Sequence, residues 1–234
     1  MEAGRFGFSE APRIFMNLLK FDETASEESL RLAIVECGRI LYERGLTTAN
    51  DGNISIRLDE RRVLITPSGL CKGRMSPDDL LIVDLEGALL ESASDSSLVP
   101  SSETPMHLEA YRQRSDIRAV LHAHPVFATA LTVAGMDLPE DVLPEVALTM
   151  GSVPTTAYAR PSSDENAVVI RDLIQHYDAM LLRQHGSLTV GRNLDEALTH
   201  LERIEHVAQV FWRAKMLGHV ERIPPDEMAK LRSK

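Results

Sequence analysis

The sequence has little of what staples, anchors or draws a chain to a polyanion. Cysteine occurs twice in 234 residues, as Cys37 and Cys71, too few for a disulfide framework and in keeping with a reduced protein of the cytoplasm. Basic residues are outnumbered, 25 against 35 acidic, for a formal charge of -10 and a pI near 5.3. That balance argues against nucleic acid or an anionic membrane surface as the main partner, because both call for clustered Lys and Arg. No apolar run approaches the ~18 residues that would mark a membrane-spanning helix. The short apolar patch Ile14 to Leu19 lacks the layout of a signal peptide. Neither a Walker P-loop nor a dinucleotide-binding glycine fingerprint is present.

What is there is enough for one generous domain, since a chain of this length buries about 70% of its unfolded surface without help from metals or disulfides. Residues 1–23 show no sustained period and read as an N-terminal arm, leaving 24–234 as a single unit. From Thr24 the period is helical, with Leu30, Ala33, Ile34, Cys37 and Leu41 on one face and Gly45 at a C-cap position. Alternation over Ile54 to Leu58 predicts a strand, and Val63 to Thr66 a second one after a turn. Ser76-Pro77-Asp78-Asp79 has the form of a helix start, and Leu80 to Leu85 reads as a strand. Glu91 to Pro100 is expected to be an exposed loop. Helices are expected over Thr104 to Arg114, Phe127 to Ala134 and Ser163 to His176. Strands are expected over Ile117 to Ala123, Ala179 to Leu182 and Leu188 to Val190. Asn193-x-x-Glu196 opens a long last helix with Leu194, Leu198, Leu201 and Ile204 on one face. Helices and strands alternate without repeats or long linkers, so the fold class is α/β.

Three features could carry chemistry. His122 and His124 stand at i and i+2 of a strand and therefore point to one face, about 6.5–7 Å apart along the chain. Two imidazoles so placed can converge on one metal ion, although the same spacing suits ordinary packing. His185 is a lone histidine after an apolar strand, and Glu103, before a helix start, would by itself be an acid at a helix dipole. Two loops offer N–H, hydroxyl and amide groups to an anion: Gly52-Asn53 and Thr66-Pro67-Ser68-Gly69. Ser101 and Ser102 add two hydroxyls near a helix N-terminus. Lys72 and Arg74 could add charge to such a grip. His200, His206 and His219 are expected to do no chemistry, and Phe211 and Trp212 to serve packing.

Taken together, Gly52-Asn53-Ile54-Ser55, Ile65-Thr66-Pro67-Ser68-Gly69, Ser101-Ser102-Glu103-Thr104-Pro105-Met106-His107, His122-Ala123-His124 and Gln184-His185-Gly186 resemble the class II aldolase/adducin family in order, from about Leu30 to Leu217. The resemblance implies a single-domain three-layer α/β/α fold with a central, mainly antiparallel sheet, and a homo-oligomer, usually a tetramer. It implies one divalent metal ion per chain on His122, His124 and His185, zinc in the first place, with manganese and cobalt also suited. It makes Glu103 both a resting metal ligand and the base, and Asn53, Ser68, Gly69, Ser101 and Ser102 the pocket for a substrate phosphate or carboxylate. His107 is read as structural.

The activity so implied is carbon–carbon lysis, foremost an aldolase that cleaves a ketose 1-phosphate to dihydroxyacetone phosphate and an aldehyde through a metal-stabilised enediolate. Related ribulose-phosphate 4-epimerases resemble the pattern with Asp where this chain has Glu103, which leans toward bond cleavage. A family decarboxylase acting on a sugar acid or an aromatic or pyridine dicarboxylate is the alternative. Epimerase, dehydratase and a non-enzymatic adducin-like interaction module come after these. The family aldolases carry a tyrosine after the His-x-His strand and another in the tail. Here Leu138 to Pro154 contains none, Tyr158 is the nearest, and none follows Gly218.

Overall fold

A computed structural model describes residues 18–232. Seven strands form one sheet: β1 (Asn53–Arg57), β2 (Arg62–Ile65), β3 (Leu81–Asp84), β4 (Leu89–Glu91), β5 (Ala119–Ala123), β6 (Ala179–Leu182) and β7 (Gly186–Gly191). Their spatial order is β4-β3-β2-β1-β5-β7-β6, and every neighbouring pair is antiparallel. The helices are α1 (Glu27–Glu43), α2 (Thr104–Gln113), α3 (Val126–Val133), α4 (Pro144–Thr149), α5 (Asp164–Ile174), α6 (Leu194–Met216) and α7 (Pro225–Arg232).

The period-2 alternation of the strands sorts their side chains into two layers. Ile54, Ile56, Leu64, Ile82 and Leu121 pack with Ile34, Cys37 and Leu41 of α1 and Leu194 and Leu201 of α6. The alternate residues Val63, Ile65, Leu81, Val83 and Val120 pack with Met106 and Leu108 of α2 and Ile170 and Ile174 of α5. Each wholly buried Ile or Leu adds about 1.5–3 kcal/mol to folding, so slipping one strand by a residue would forfeit much of both layers. This is the expected α/β/α sandwich. A third cluster joins α3, Val146 of α4 and Phe211 of α6 against Ala179 and Leu181 of β6. Phe211 is buried there as expected, and the half-exposed Trp212 meets Phe127 edge-on at 5.4 Å.

Side-chain caps open three helices, the one at Asn193 as the sequence predicts. Ser26 accepts the amide of Ser29, Ser163 that of Glu165, and Asn193 that of Glu196, relieving N–H groups that have no partner inside the helix. Ser76-Pro77 departs from expectation. The Ser76 amide donates to Asp79 and the capping box closes, yet it opens only a single 3₁₀ turn, Pro77–Asp79. Leu81 to Val83 pair with β2 instead of continuing a helix, and ladder bonds with burial on both faces outweigh a cap. The short elements β4, α4 and α7 are not foreseen by pattern.

Most of the expected arm lies outside the described residues. Its last part is docked: Leu19 is buried and accepts the amide of Asp195 through its carbonyl. Among the described residues no helix is long and apolar enough to cross a membrane.

Candidate metal centre and active site

Antiparallel pairing brings distant sequence to one end of the sheet. His122 in β5 lies opposite Asn53 of β1 and Leu188 of β7. The end of β5, with His124 one step beyond, therefore meets the start of β1 and the tight β6–β7 turn that carries His185. Two glycines permit this closeness. A Cβ on Gly186 would sit 2.3 Å from the Ala123 carbonyl oxygen and 2.8 Å from the His124 ring; one on Gly52, at φ +75°, would sit 2.9 Å from the His122 carbonyl oxygen. Among the described residues, three non-glycine residues have positive φ, Ala49, Ser162 and Gln184, and they occupy the loops around this end. Such strain costs about 1–3 kcal/mol each and gathers at functional sites. We expect Gly186→Ala to cost about 1–3 kcal/mol through overpacking. At roughly 2–4 °C per kcal/mol for a chain of this size, a thermal melt reads it directly, and metal affinity should fall with it because the His124 ring is displaced.

His122, His124 and His185 each place a ring nitrogen within 4.8 Å of the others, and their ring centres are 4.6–5.0 Å apart. Burial is the main cause that holds all three imidazoles below their ordinary pKa, and for His122 the shift is large. They are therefore neutral at pH 7, with lone pairs free for a metal. The proton positions follow from the outer contacts. His122 Nδ1–H donates to the Ser187 carbonyl at 2.9 Å, and His124 Nδ1 faces the Asp51 carboxylate at 3.5 Å. Both Nε2 atoms are thus left as acceptors only 3.0 Å apart. Two lone pairs so close repel unless a cation lies between them, and bonds of about 2.0–2.1 Å in a tetrahedral zinc site put ligand nitrogens about 3.3 Å apart. His185 Nδ1 is buried with no hydrogen-bonding partner. Carbonyl and carboxylate partners on the far nitrogen are what orient metal-binding imidazoles. The residues fit a divalent cation.

Glu103, at the N-cap of α2, lines the same cleft of about 230 Å³, but its carboxylate is not among the converging groups. Oε1 accepts the Ser162 amide at 2.5 Å and Oε2 accepts Nδ2 of Asn166 at 2.7 Å. Asn53, Ser68, Gly69, Ser101 and Ser102 line the cleft together, with Lys72 beside them. Asn53 Nδ2 donates to Ser101 Oγ at 3.1 Å, and Ser102 and Ser162 share a hydroxyl contact at 2.8 Å. Lys72 is the only Lys or Arg among the described lining residues. Its ammonium donates to the Asn50 and Leu70 carbonyls, and burial lowers its pKa to about 8. Arg74 does not line the cleft. Tyr158 is exposed and does not line it either.

Sequence reasoning missed Asp51, Ser162 and Asn166. Asp51 adjoins Gly52-Asn53 and could have been found by asking what holds the far nitrogen of a ligand histidine. Ser162 and Asn166 carry no local signal, because only the packing of α5 on α2 brings them to Glu103. A larger cavity of about 420 Å³ lies elsewhere, and Arg114 and Arg192 in its lining pair with Asp178 and Glu196 of the same lining. It gathers no metal-ligating triad among the described residues.

Comparison with known proteins agrees with this geometry. Residues 32–212 match the family described as the class II aldolase and adducin N-terminal domain. A 3-oxo-tetronate 4-phosphate decarboxylase of Pectobacterium atrosepticum is 30% identical over 213 residues, covering 88% of this chain and 94% of its own. A 5-deoxy-D-ribulose 1-phosphate aldolase of Bacillus thuringiensis is 34% identical over 205 residues, covering 87% and 94%. The solved structure of an L-fuculose 1-phosphate aldolase superposes with a TM-score of 0.80 at 30% identity, over 91% of this chain and 98% of that one. The chain belongs to the class II aldolase/adducin family.

Proposed function

We propose that the chain is a divalent-metal-dependent carbon–carbon lyase whose product is dihydroxyacetone phosphate, foremost an aldolase acting on a ketose 1-phosphate. The observation that carries this is one cleft holding three neutral, converging imidazoles, a carboxylate beside them and a lining of N–H and O–H donors. A cation on His122, His124 and His185, zinc before manganese or cobalt, supplies Lewis-acid stabilisation of negative charge on substrate oxygens. The chain does the rest. Asn53, Ser68, Gly69, Ser101 and Ser102 grip the phosphate away from the reacting carbons and orient them. Glu103 moves the proton at the carbon that becomes the hydroxymethyl group of the product. In the retro-aldol direction the C3–C4 bond breaks, its electron pair stays on C3, C3 gains a proton, and the C4 hydroxyl loses one as the aldehyde forms.

A specific observation favours decarboxylation as the second reading. No tyrosine lines the described cleft, and loss of CO₂ from a carboxylate needs no group to take a hydroxyl proton, whereas aldehyde release does. Loss of CO₂ from a 3-oxo-tetronate 4-phosphate leaves its electron pair on the same carbon of the same product. The two readings therefore share one half-reaction, which is the place to test them. In D₂O, the metal-loaded protein should exchange one hydrogen of the hydroxymethyl carbon of dihydroxyacetone phosphate, and a chelator should stop it. Absence of exchange from protein shown to hold metal overturns both. Where exchange occurs, CO₂ release from the oxo acid against condensation with added aldehydes separates them. We further propose residues 24–234 as the catalytic unit, a cytoplasmic location and a homotetramer, whose mass light scattering would report as four chains.

A further inference from the structure

A buried hydrogen-bonded chain runs from the interior to the anion pocket. Asn53 and Ser55, at i and i+2 of β1, face His107 and Tyr111, at i and i+4 of α2, so strand and helix periods mesh two residues to two. Ser55 Oγ lies 2.9 Å from the Tyr111 hydroxyl and 2.7 Å from His107 Nδ1. His107 Nε2 lies 2.5 Å from Asn53 Oδ1, and Asn53 Nδ2 lies 3.1 Å from Ser101 Oγ. Ser101 Oγ also accepts the Glu103 amide at 3.3 Å. Ser55 and His107 are wholly buried, so no water is at hand to mend a wrong proton arrangement.

Only two arrangements satisfy the whole chain. In the first, Tyr111 donates to Ser55, Ser55 to His107 Nδ1, His107 Nε2–H to the Asn53 carbonyl, and the Asn53 NH₂ to Ser101. The second N–H of Asn53 and the hydroxyl proton of Ser101 are then left for the cleft. In the second, every bond is reversed, the Asn53 amide is flipped so that its NH₂ is turned to His107, and Ser101 gives up its proton to the Asn53 carbonyl and keeps no donor for an anion.

The Asn53 amide selects the first: its Oδ1 faces His107 Nε2 and its Nδ2 faces Ser101 Oγ, so the ring donates from Nε2 and accepts at Nδ1. Burial lowers the His107 pKa to about 3, so the ring carries a single proton and must choose one nitrogen.

We propose that His107 is a positioning residue that sets the polarity of the substrate pocket: held by Ser55 as the Nε2–H tautomer, it locks the Asn53 amide and frees the Ser101 hydroxyl so that both donate to a substrate oxyanion. This deepens the proposed function and rests on its placement of the anion, but the first measurement needs neither substrate nor turnover. Long-range ¹H–¹⁵N correlation on the metal-loaded protein should show His107 protonated on Nε2 and bare on Nδ1. A proton on Nδ1 overturns the proposal outright.

Ser55→Ala removes the donor to Nδ1. It should mix the two tautomers and weaken binding of the oxyanion probes, inorganic phosphate and acetate titrated separately, about tenfold, as for one charge-assisted hydrogen bond. Whichever probe loses more identifies the group the pocket takes. Tyr111→Phe leaves the Ser55-to-His107 bond in place, and should keep the tautomer and hold the affinity within about threefold; a tautomer switch in this variant would contradict the assigned direction. Unchanged probe affinity in a folded Ser55→Ala protein whose tautomer has shifted overturns the role in polarity. Failure of the unmutated protein to bind either probe while His107 is Nε2–H refutes the anion pocket, whereas proton exchange on dihydroxyacetone phosphate judges the lyase reading separately.

Discussion

His122→Ala is expected to bring bound metal from about one ion per chain to near zero and to abolish proton exchange on dihydroxyacetone phosphate. His122 is the most deeply fixed of the three histidines: it is buried within β5, its Nδ1 proton is committed to the Ser187 carbonyl, and its Nε2 faces that of His124 at 3.0 Å. With two ligands left, coordination falls below the three protein donors that catalytic zinc sites keep. Altering an outer partner alone costs about 10–100-fold in metal affinity or activity, so removing an inner ligand should exceed that. Asp51→Asn supplies the graded comparison. It retains the fold and the three imidazoles but takes the charge from the group facing His124 Nδ1, and should land within that ~10–100-fold range. Metal analysis after dialysis, with circular dichroism to confirm folding, reads both. Full metal occupancy in folded His122→Ala would remove the triad from the site.

The His122 and His124 pair and the anion loops were legible in the sequence because short-range rules place them, whereas His185 joined the pair only through the family resemblance. A strand's period of two puts His122 and His124 on one face, and Gly186 and Gly52 stand where a Cβ would strike the neighbouring strand. The α/β class was legible for the same reason, since Ile54 and Ile56 alternate with Asn53 and Ser55 and α1 shows one apolar face; the three-layer arrangement came from the family resemblance. What sequence could not reveal depends on long-range registry. Asn166 reaches Glu103 only because α5 packs on α2, and it stands 63 residues away in the chain. His107 reads as a plain buried histidine until the β1 register sets Ser55 and Asn53 on either side of its ring. The Ser76-Pro77 start misled because a closed capping box is a local signal, worth about 1 kcal/mol, against the pairing of Leu81–Asp84 with β2 and the burial of Leu81 and Val83.

Glu103→Gln should separate chemistry from metal binding. Turnover and proton exchange are expected to fall about 10²–10⁴-fold, the usual contribution of a positioned acid–base group, while metal stays near one ion per chain. The structure supports both halves. The three histidines converge without the Glu103 carboxylate, whose oxygens are held instead by the Ser162 amide and the Asn166 side chain. A glutamine can keep this placement: its carbonyl still accepts the Ser162 amide, and the Asn166 amide can turn over to accept from the new NH₂. Folding and the backbone at the head of α2 are thus preserved, and only the group that takes and returns a proton is lost. If metal content falls in step with turnover, Glu103 acts first as a ligand, as the family resemblance implies, and its departure from Ser162 and Asn166 becomes part of metal capture. If exchange survives the substitution with metal in place, the proton is moved by another group, and Glu103 is reduced to an acid at the N-terminus of α2 that fastens α2 to α5.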